Sequence, residues 1–522
     1  MLDLFPTSWT PYLPYVLSGV TIVLLMVYVV LRRYRGKVLR GVLGCLLAAA
    51  ALLAGNEYLR GNHHDGLWLN SYEFFHYYLG AKYHAELGYD QLYNATLAAE
   101  AAHGATRMPT HARDLASGRI VPITQLLRDR FLHTAEFTPE RWEAFQEDVL
   151  FLRTRVPYPQ WQQQLRDKGY NATPFWTMLG GLLANRVPIT EGAARQGLVL
   201  IDVALLLLAF AGVAWAFGPR TALLLLLFLG AHYFMSHNTL RAAFIRLDWL
   251  ACLVLAPCFL KKGYPVLAGG LLAWATLSRI FPGIFVFGIV VRLLWEILRY
   301  RQTHRAAQDC LLGFALTGVL LFGFSVLHAG SIGPWIAFFE KVLAHDSDLS
   351  PWRVGFKYVF LGTWHADGLW GASPEAFFAQ YRWLWWLIQG GVLALCSVFI
   401  RRMELYEALL FGFIPFYFFF APTYYYYVLL MLPMLYFATR LDQPMWSLGL
   451  VYVFVTGIIG HLLYGWWDRG YPLFFVMSCL MGGLALYMIL ITALEQRYVQ
   501  CMRREIEEEL DWLDSNVPEG KL

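Results

Sequence analysis

Charge is scarce in this sequence of 522 residues: Asp, Glu, Lys and Arg together make up 15% of it. Soluble domains draw about a quarter of their residues from those four types, so a water-soluble globular protein is excluded. The 41 basic and 37 acidic residues leave a formal charge of +4, and the basic ones cluster at the ends of apolar runs. That leaves no basic field of the kind nucleic acid requires, and no nucleic-acid partner is expected. Cysteine is scarce too. The seven (Cys45, Cys252, Cys258, Cys310, Cys396, Cys479 and Cys501) lie in apolar runs, at a run's end or in the tail, which excludes a disulfide framework or a cysteine metal cluster. No basic residue precedes the first apolar run, whereas Arg32, Arg33, Arg35, Lys37 and Arg40 follow it. This order is the reverse of a cleavable signal peptide, and it predicts an uncleaved first helix with the amino terminus outside. Internal repeats and low-complexity runs are also lacking.

Apolar residues are abundant instead: 58% of the chain is hydrophobic, 17% is aromatic, and the mean hydropathy is +0.46. They come in blocks such as Val199 to Val213 and Ala222 to Leu229, without the alternation of a membrane barrel strand, so the spans are read as helices. The expected fold is an all-α polytopic membrane protein of about 13 transmembrane helices. With basic clusters taken as cytoplasmic marks, residues 1–56 hold two helices and 57–195 form a large outside segment. Residues 196–494 hold the remaining helices, with a second outside loop at about 328–381, and 495–522 form a cytoplasmic tail. In the 57–195 segment, Thr138-Pro139 reads as an N-cap followed by proline at the first helical position, opening a helix to about Thr154. A second helix is expected from Gln162 to Lys168, and the whole segment as a small helical cap on the membrane domain.

The unusual polar residues gather on the outside face. On a helix through Tyr72 to Lys82, the residues Glu73, His76, Tyr77, Gly80 and His84 share one face, with the glycine leaving a gap for close approach. Near them in sequence are His63, His64 and Asp65, which with His76 offer metal-ligand types but no recognised spacing, so no metal is expected. Arg246 and Arg279, at the edges of spans, are functional candidates because a cation there requires a partner or a polar cavity. For Arg246 the alternative is a structural ion pair with Asp248 or another acid; for Arg279 it is snorkelling to the interface. Tyr424, Tyr425, Tyr426 and Tyr427 read either as an interfacial belt or as a lip that stacks on a sugar or contacts phosphate. His345, Asp346 and Asp348 complete the set, and Asn94-Ala95-Thr96 and Asn171-Ala172-Thr173 are sequons.

In order along the chain, these residues resemble the GT-C superfamily of polyprenyl-phosphate-dependent glycosyltransferases, most closely glycosyltransferase family 87. The family carries an acid shortly after a transmembrane helix in a D-F-x-x-Y-Y pattern, followed by a G-x-x-x-Y element. The matching residues are Glu73-Phe74-Phe75-His76-Tyr77-Tyr78, with Glu in place of Asp, and Gly88 to Tyr93, where four residues rather than three separate Gly from Tyr. Thr173-Pro174-Phe175-Trp176 resembles the family's proline-aromatic re-entry into the membrane. The stretches Leu267 to Leu272 and Ser278-Arg279-Ile280-Phe281-Pro282 resemble its A-G-x-L hairpin ending in a basic residue and proline. Pro422 to Tyr427 resembles a late S-P-x-x-W-x-H segment, with tyrosines in place of Trp and His; His103 to Lys168 has no counterpart.

The resemblance implies an integral membrane hexosyl- or pentosyltransferase of a bacterial plasma membrane. It would transfer sugar, with inversion, from a polyprenyl-phosphate donor to the hydroxyl of a glycan, glycolipid or other acceptor, using no cofactor. Glu73 would be the general base, with His76 and Asp65 as further catalytic candidates. Arg279, Arg246 and Lys82 would hold the donor phosphate, and Tyr77, Tyr424, Tyr425, Tyr426 and His345 would line the substrate. A transporter or flippase of a lipid-linked sugar is the alternative; the lack of repeats and the one-sided placement of the polar residues weigh against it.

Overall fold

The computed structural model describes residues 11–31, 37–61, 68–105, 107–128, 135–236, 240–347, 349–370, 373–467 and 470–516. Among the described residues, eight helices are long and apolar enough to cross a membrane: Leu13–Leu31, Val38–Arg60, Gly192–Phe217, Phe281–Tyr300, Arg305–Ala329, Pro374–Ile400, Pro444–Trp467 and Tyr471–Glu508. Each approaches or exceeds the ~20 residues that a hydrocarbon core requires. Many large apolar side chains on them face outward, Leu207, Val319 and Leu327 among them, as lipid contact demands and water contact forbids. The chain is an integral membrane protein of all-α polytopic class. Shorter apolar helices, including Pro174–Ala184, Pro219–Ala231, Pro265–Ser278, Leu405–Phe419 and Tyr424–Ala438, lie among the long ones.

Proline starts many of these helices: Pro139, Pro174, Pro219, Pro265 and Pro374 all stand at a first or second helical position, where the missing N–H costs nothing. Thr138 caps the Pro139–Arg153 helix as expected, accepting from the Arg141 amide. The helix expected at Gln162 to Lys168 instead spans Tyr158–Gln164, because Pro157 and Pro159 open it earlier. An antiparallel hairpin, His111–Arg113 with Ile120–Pro122, is the one two-stranded sheet among the described residues, and the sequence reading had no strand there. The acidic tail is continuous with the final span, in a helix of 46 residues from Tyr471 to Asn516. Arg440 ties that helix to the Leu405–Leu410 helix by pairing with Glu495 at 2.5 Å and Glu407 at 2.7 Å.

Two cores result. One joins the apolar helices, and the other is built by residues from Leu69 to Val199, which pack on Ala242, Phe244, Ile245, Trp335 and Phe338. The helices Pro265–Ser278 and Arg305–Ala329 cross with their backbones in contact: a Cβ on Gly269 would collide with the Cys310 carbonyl, and one on Gly313 with the Val266 carbonyl. Small residues at such a crossing substitute for the hydrophobic drive that lipid removes. The first of these helices, Pro265–Ser278, ends next to Arg279. Gly313→Val should therefore force the helices apart and destabilise the protein by about 1 to 3 kcal/mol; an unchanged thermal unfolding midpoint in detergent would refute the close crossing.

Candidate functional site

The site begins at Asn70. Its side chain accepts from the Glu73 amide at 3.2 Å and so starts the helix Ser71–Glu73. The same residue also reaches the distant segment 240–247, donating through its backbone N–H to Ala242 O at 2.9 Å and through Nδ2 to Arg241 O at 3.1 Å. Glu73 is thereby set against Arg246. After Glu73 the backbone widens into a π-helical turn, Phe74–Tyr78, before α-helix resumes at Leu79–Lys82.

The 240–247 segment is strained and tightly held. Ala242 and Ile245 take positive φ of 49° and 48°, a conformation that costs a non-glycine residue about 1 to 3 kcal/mol. Asp202 accepts from the Arg246 amide at 2.9 Å and the Leu247 amide at 3.0 Å. Trp176 Nε1 donates to Ile245 O at 2.9 Å, and Trp249 Nε1 to Arg246 O at 3.0 Å. These bonds fix the one side chain that the segment aims at Glu73.

Arg246 Nε lies 2.7 Å from Glu73 Oε2, and the two residues are 1% and 2% exposed. The Arg246 guanidinium stacks on Tyr77, 3.8 Å from the ring centre, and Arg279 faces the same ring at 5.7 Å. Arg279, 7% exposed, also faces Trp176 at 5.5 Å and donates through Nη1 to Ser278 O at 3.0 Å. Both terminal nitrogens of Arg246, with Nε and Nη2 of Arg279, are buried without a hydrogen-bond partner. Thr173 anchors this corner: it caps the Pro174–Ala184 helix and donates to Leu277 O at 2.6 Å. Burial pushes the Glu73 carboxyl above its ordinary range, while Arg246 and Arg279 pull it back.

The sequence candidates separate into groups. Glu73, Tyr77, Arg246 and Arg279 come together. Tyr425 and Tyr426 approach them from the Tyr424–Leu430 helix, with electrostatic influence on Arg246, and Tyr426 packs on Trp249 and Phe281. Tyr424 turns the other way, stacking on Phe474. His76 leaves the expected face: its ring bonds the Tyr72 carbonyl at 2.8 Å and the Tyr93 hydroxyl at 2.9 Å. The physical reason is the π-turn, whose extra residue per turn keeps position i+4 beside Glu73 but swings i+3 away. The gap at Gly80 is filled by the protein's own Tyr170.

Lys82 pairs with Asp148 at 2.6 Å and lies against Tyr78 and Tyr83, apart from the two arginines. Arg246 forms the ion pair expected as its alternative role, with Glu73 as the acid; Asp248 instead accepts from Trp274 at 3.0 Å. Of the sequon asparagines, Asn94 is buried and Asn171 accepts from the Tyr77 hydroxyl at 2.7 Å. Asp65, His63 and His64, and the side chain of His345, lie outside the described residues. Sequence reasoning missed Asp202 although a signal existed: it is the single acid in the Gly192–Phe217 helix, and an intramembrane acid is a candidate by default.

His84 packs between the rings of Tyr89 and Tyr170, at 4.7 and 5.6 Å. Burial, reinforced by Lys341, lowers its imidazole from 6.5 to about 4. Between those values the unfolded chain takes up a proton that the fold excludes, so this stability is full above pH 6.5 and is lost as pH falls toward 4. His84→Gln should flatten the fall of the unfolding midpoint across that window, and an unaltered slope would exclude His84 as its source. Compared with known protein families, curated proteins and solved structures, the chain shows no match.

Proposed function

We propose that the protein is a GT-C-type glycosyltransferase that transfers a hexose or pentose from a polyprenyl-phosphate donor to an acceptor hydroxyl. The observation that carries this reading is the pair of buried guanidiniums on one tyrosine ring, with unpartnered N–H groups beside a buried carboxylate. Guanidinium forks match phosphate oxygens and stabilise the charge that develops on a leaving phosphate. Glu73 would take the acceptor's proton as the sugar C1 is attacked, a role worth roughly 10²- to 10⁴-fold. Tyr77, Tyr425 and Tyr426 would line the sugar.

In this reading the chain crosses the membrane about 13 times, counting Asp248–Lys261 and four of the shorter apolar helices with the eight long ones. The packed residues from Leu69 to Val199 are an extracytoplasmic cap, the amino terminus is outside, and the carboxyl terminus is in the cytoplasm of a bacterial cell. The donor's lipid chain would run along the apolar helices, and the product would belong to the cell envelope.

Glu73→Gln should abolish sugar release from a polyprenyl-phosphate donor and lower the unfolding midpoint, in protein that still expresses and purifies; full activity would overturn the assignment of the base. Arg279→Gln should raise the donor KM and lower kcat, about tenfold or more together, from the loss of a charged hydrogen bond. Because the base must be ionised and burial raises its pKa, the rate should fall as pH drops along a limb lying above 4.5. Movement of a labelled lipid-linked sugar across liposomes without chemical change would favour transport instead.

A further inference from the structure

A second pair of guanidiniums, away from Glu73, has no acidic partner among the described residues. Arg155 and Arg195 both face the ring of Phe151, their guanidinium carbons 4.4 and 5.2 Å from its centre. Arg195 is 7% exposed, and its Nη1 donates to the Ile189 carbonyl at 2.7 Å. Its Nε, like that of Arg155, is buried without a hydrogen-bond partner. Two like charges that share one ring repel each other, and each leaves a donor unsatisfied. One anion placed between them removes both penalties.

The surroundings favour an anion independently. Arg195 stands at the start of the Gly192–Phe217 helix, whose N-cap, Glu191, makes no side-chain capping bond and whose first turn holds no acid. The amides of residues 192–194 lack intrahelical partners by geometry, and the dipole there is positive. Arg195 Nη2 lies over this end, 3.9 Å from where a Cβ on Gly192 would sit. The apolar run begins at Leu198, three residues or about 4.5 Å along the helix, so with this helix read as a membrane span Arg195 stands at its headgroup end. Lipid phosphates lie at that depth. Arginine at both positions, rather than lysine, suits bidentate contact with phosphate oxygens.

We propose that Arg155 and Arg195, with Phe151 between them and the helix end at Gly192, form a binding site for a phosphate group presented by an anionic lipid headgroup. The site is separate from the Glu73 cluster, and its existence does not depend on glycosyl transfer. The test is native mass spectrometry of the full chain released from detergent, titrated in parallel with phosphatidylglycerol, phosphatidylcholine and inorganic phosphate. The wild type should retain one phosphatidylglycerol in preference to phosphatidylcholine, and Arg155→Gln should weaken that preference about tenfold.

Arg195→Gln also removes the bond to Ile189 and can unfold the junction, so Arg155→Gln, which leaves that bond intact, decides the case. Arg195→Lys should keep part of the preference. Retention of inorganic phosphate without any preference for phosphatidylglycerol, again lost in Arg155→Gln, would assign the same site to a soluble phosphoryl group. Failure of the wild type to retain either probe, or a phosphatidylglycerol preference unchanged in Arg155→Gln, would overturn the proposal.

Discussion

The contact between Arg246 and Glu73 is the constraint on which the surrounding structure depends. A guanidinium and a carboxylate, both nearly sealed from solvent, each lose hydration that their mutual attraction must offset. Removing either one leaves the other buried and unpaired, which costs about 3 to 5 kcal/mol. Their neighbours make sense as supports. Asn70 links the start of the Glu73 helix to the Arg246 segment, Asp202 holds that segment by two backbone amides, and two indole N–H groups hold its carbonyls. Left-handed backbone at Ala242 and Ile245 persists because this bonding over-determines it.

The same features bear on chemistry. A water-poor setting strengthens every charge interaction within it, and on the proposed reading the free nitrogens of Arg246 and Arg279 would act on phosphate there without first shedding solvent. Glu73 would then be held in place by the same arginine that binds the donor, so positioning of base and leaving group would be coupled. Stacking on Tyr77 adds a rigid surface that orients both guanidiniums. The Arg155 and Arg195 pair differs in kind: among the described residues no carboxylate pairs with it, and it stands where a spanning helix begins.

Much of the architecture was legible in the amino-acid order. Composition alone identifies a membrane protein, because there is too little charge to coat a soluble one, and the apolar blocks mark where helices lie, because only helices satisfy the backbone locally in lipid. Prolines and Thr138 set helix starts through local geometry. Glu73, Tyr77, Arg246 and Arg279 were also identifiable as candidates, since polar residues beside spans are costly without a role. Which of them meet was decided by tertiary structure. The π-turn sends His76 to Tyr93, Asp148 takes Lys82, Tyr424 turns toward Phe474, and Asp202 reaches across to the Arg246 amides. Sequence spacing reports which residues share a regular helical face, and these outcomes depend on an irregular turn and on contacts between segments far apart in the chain. The carboxylate at Glu73 was visible from its neighbours in sequence; its arginine was chosen by the fold.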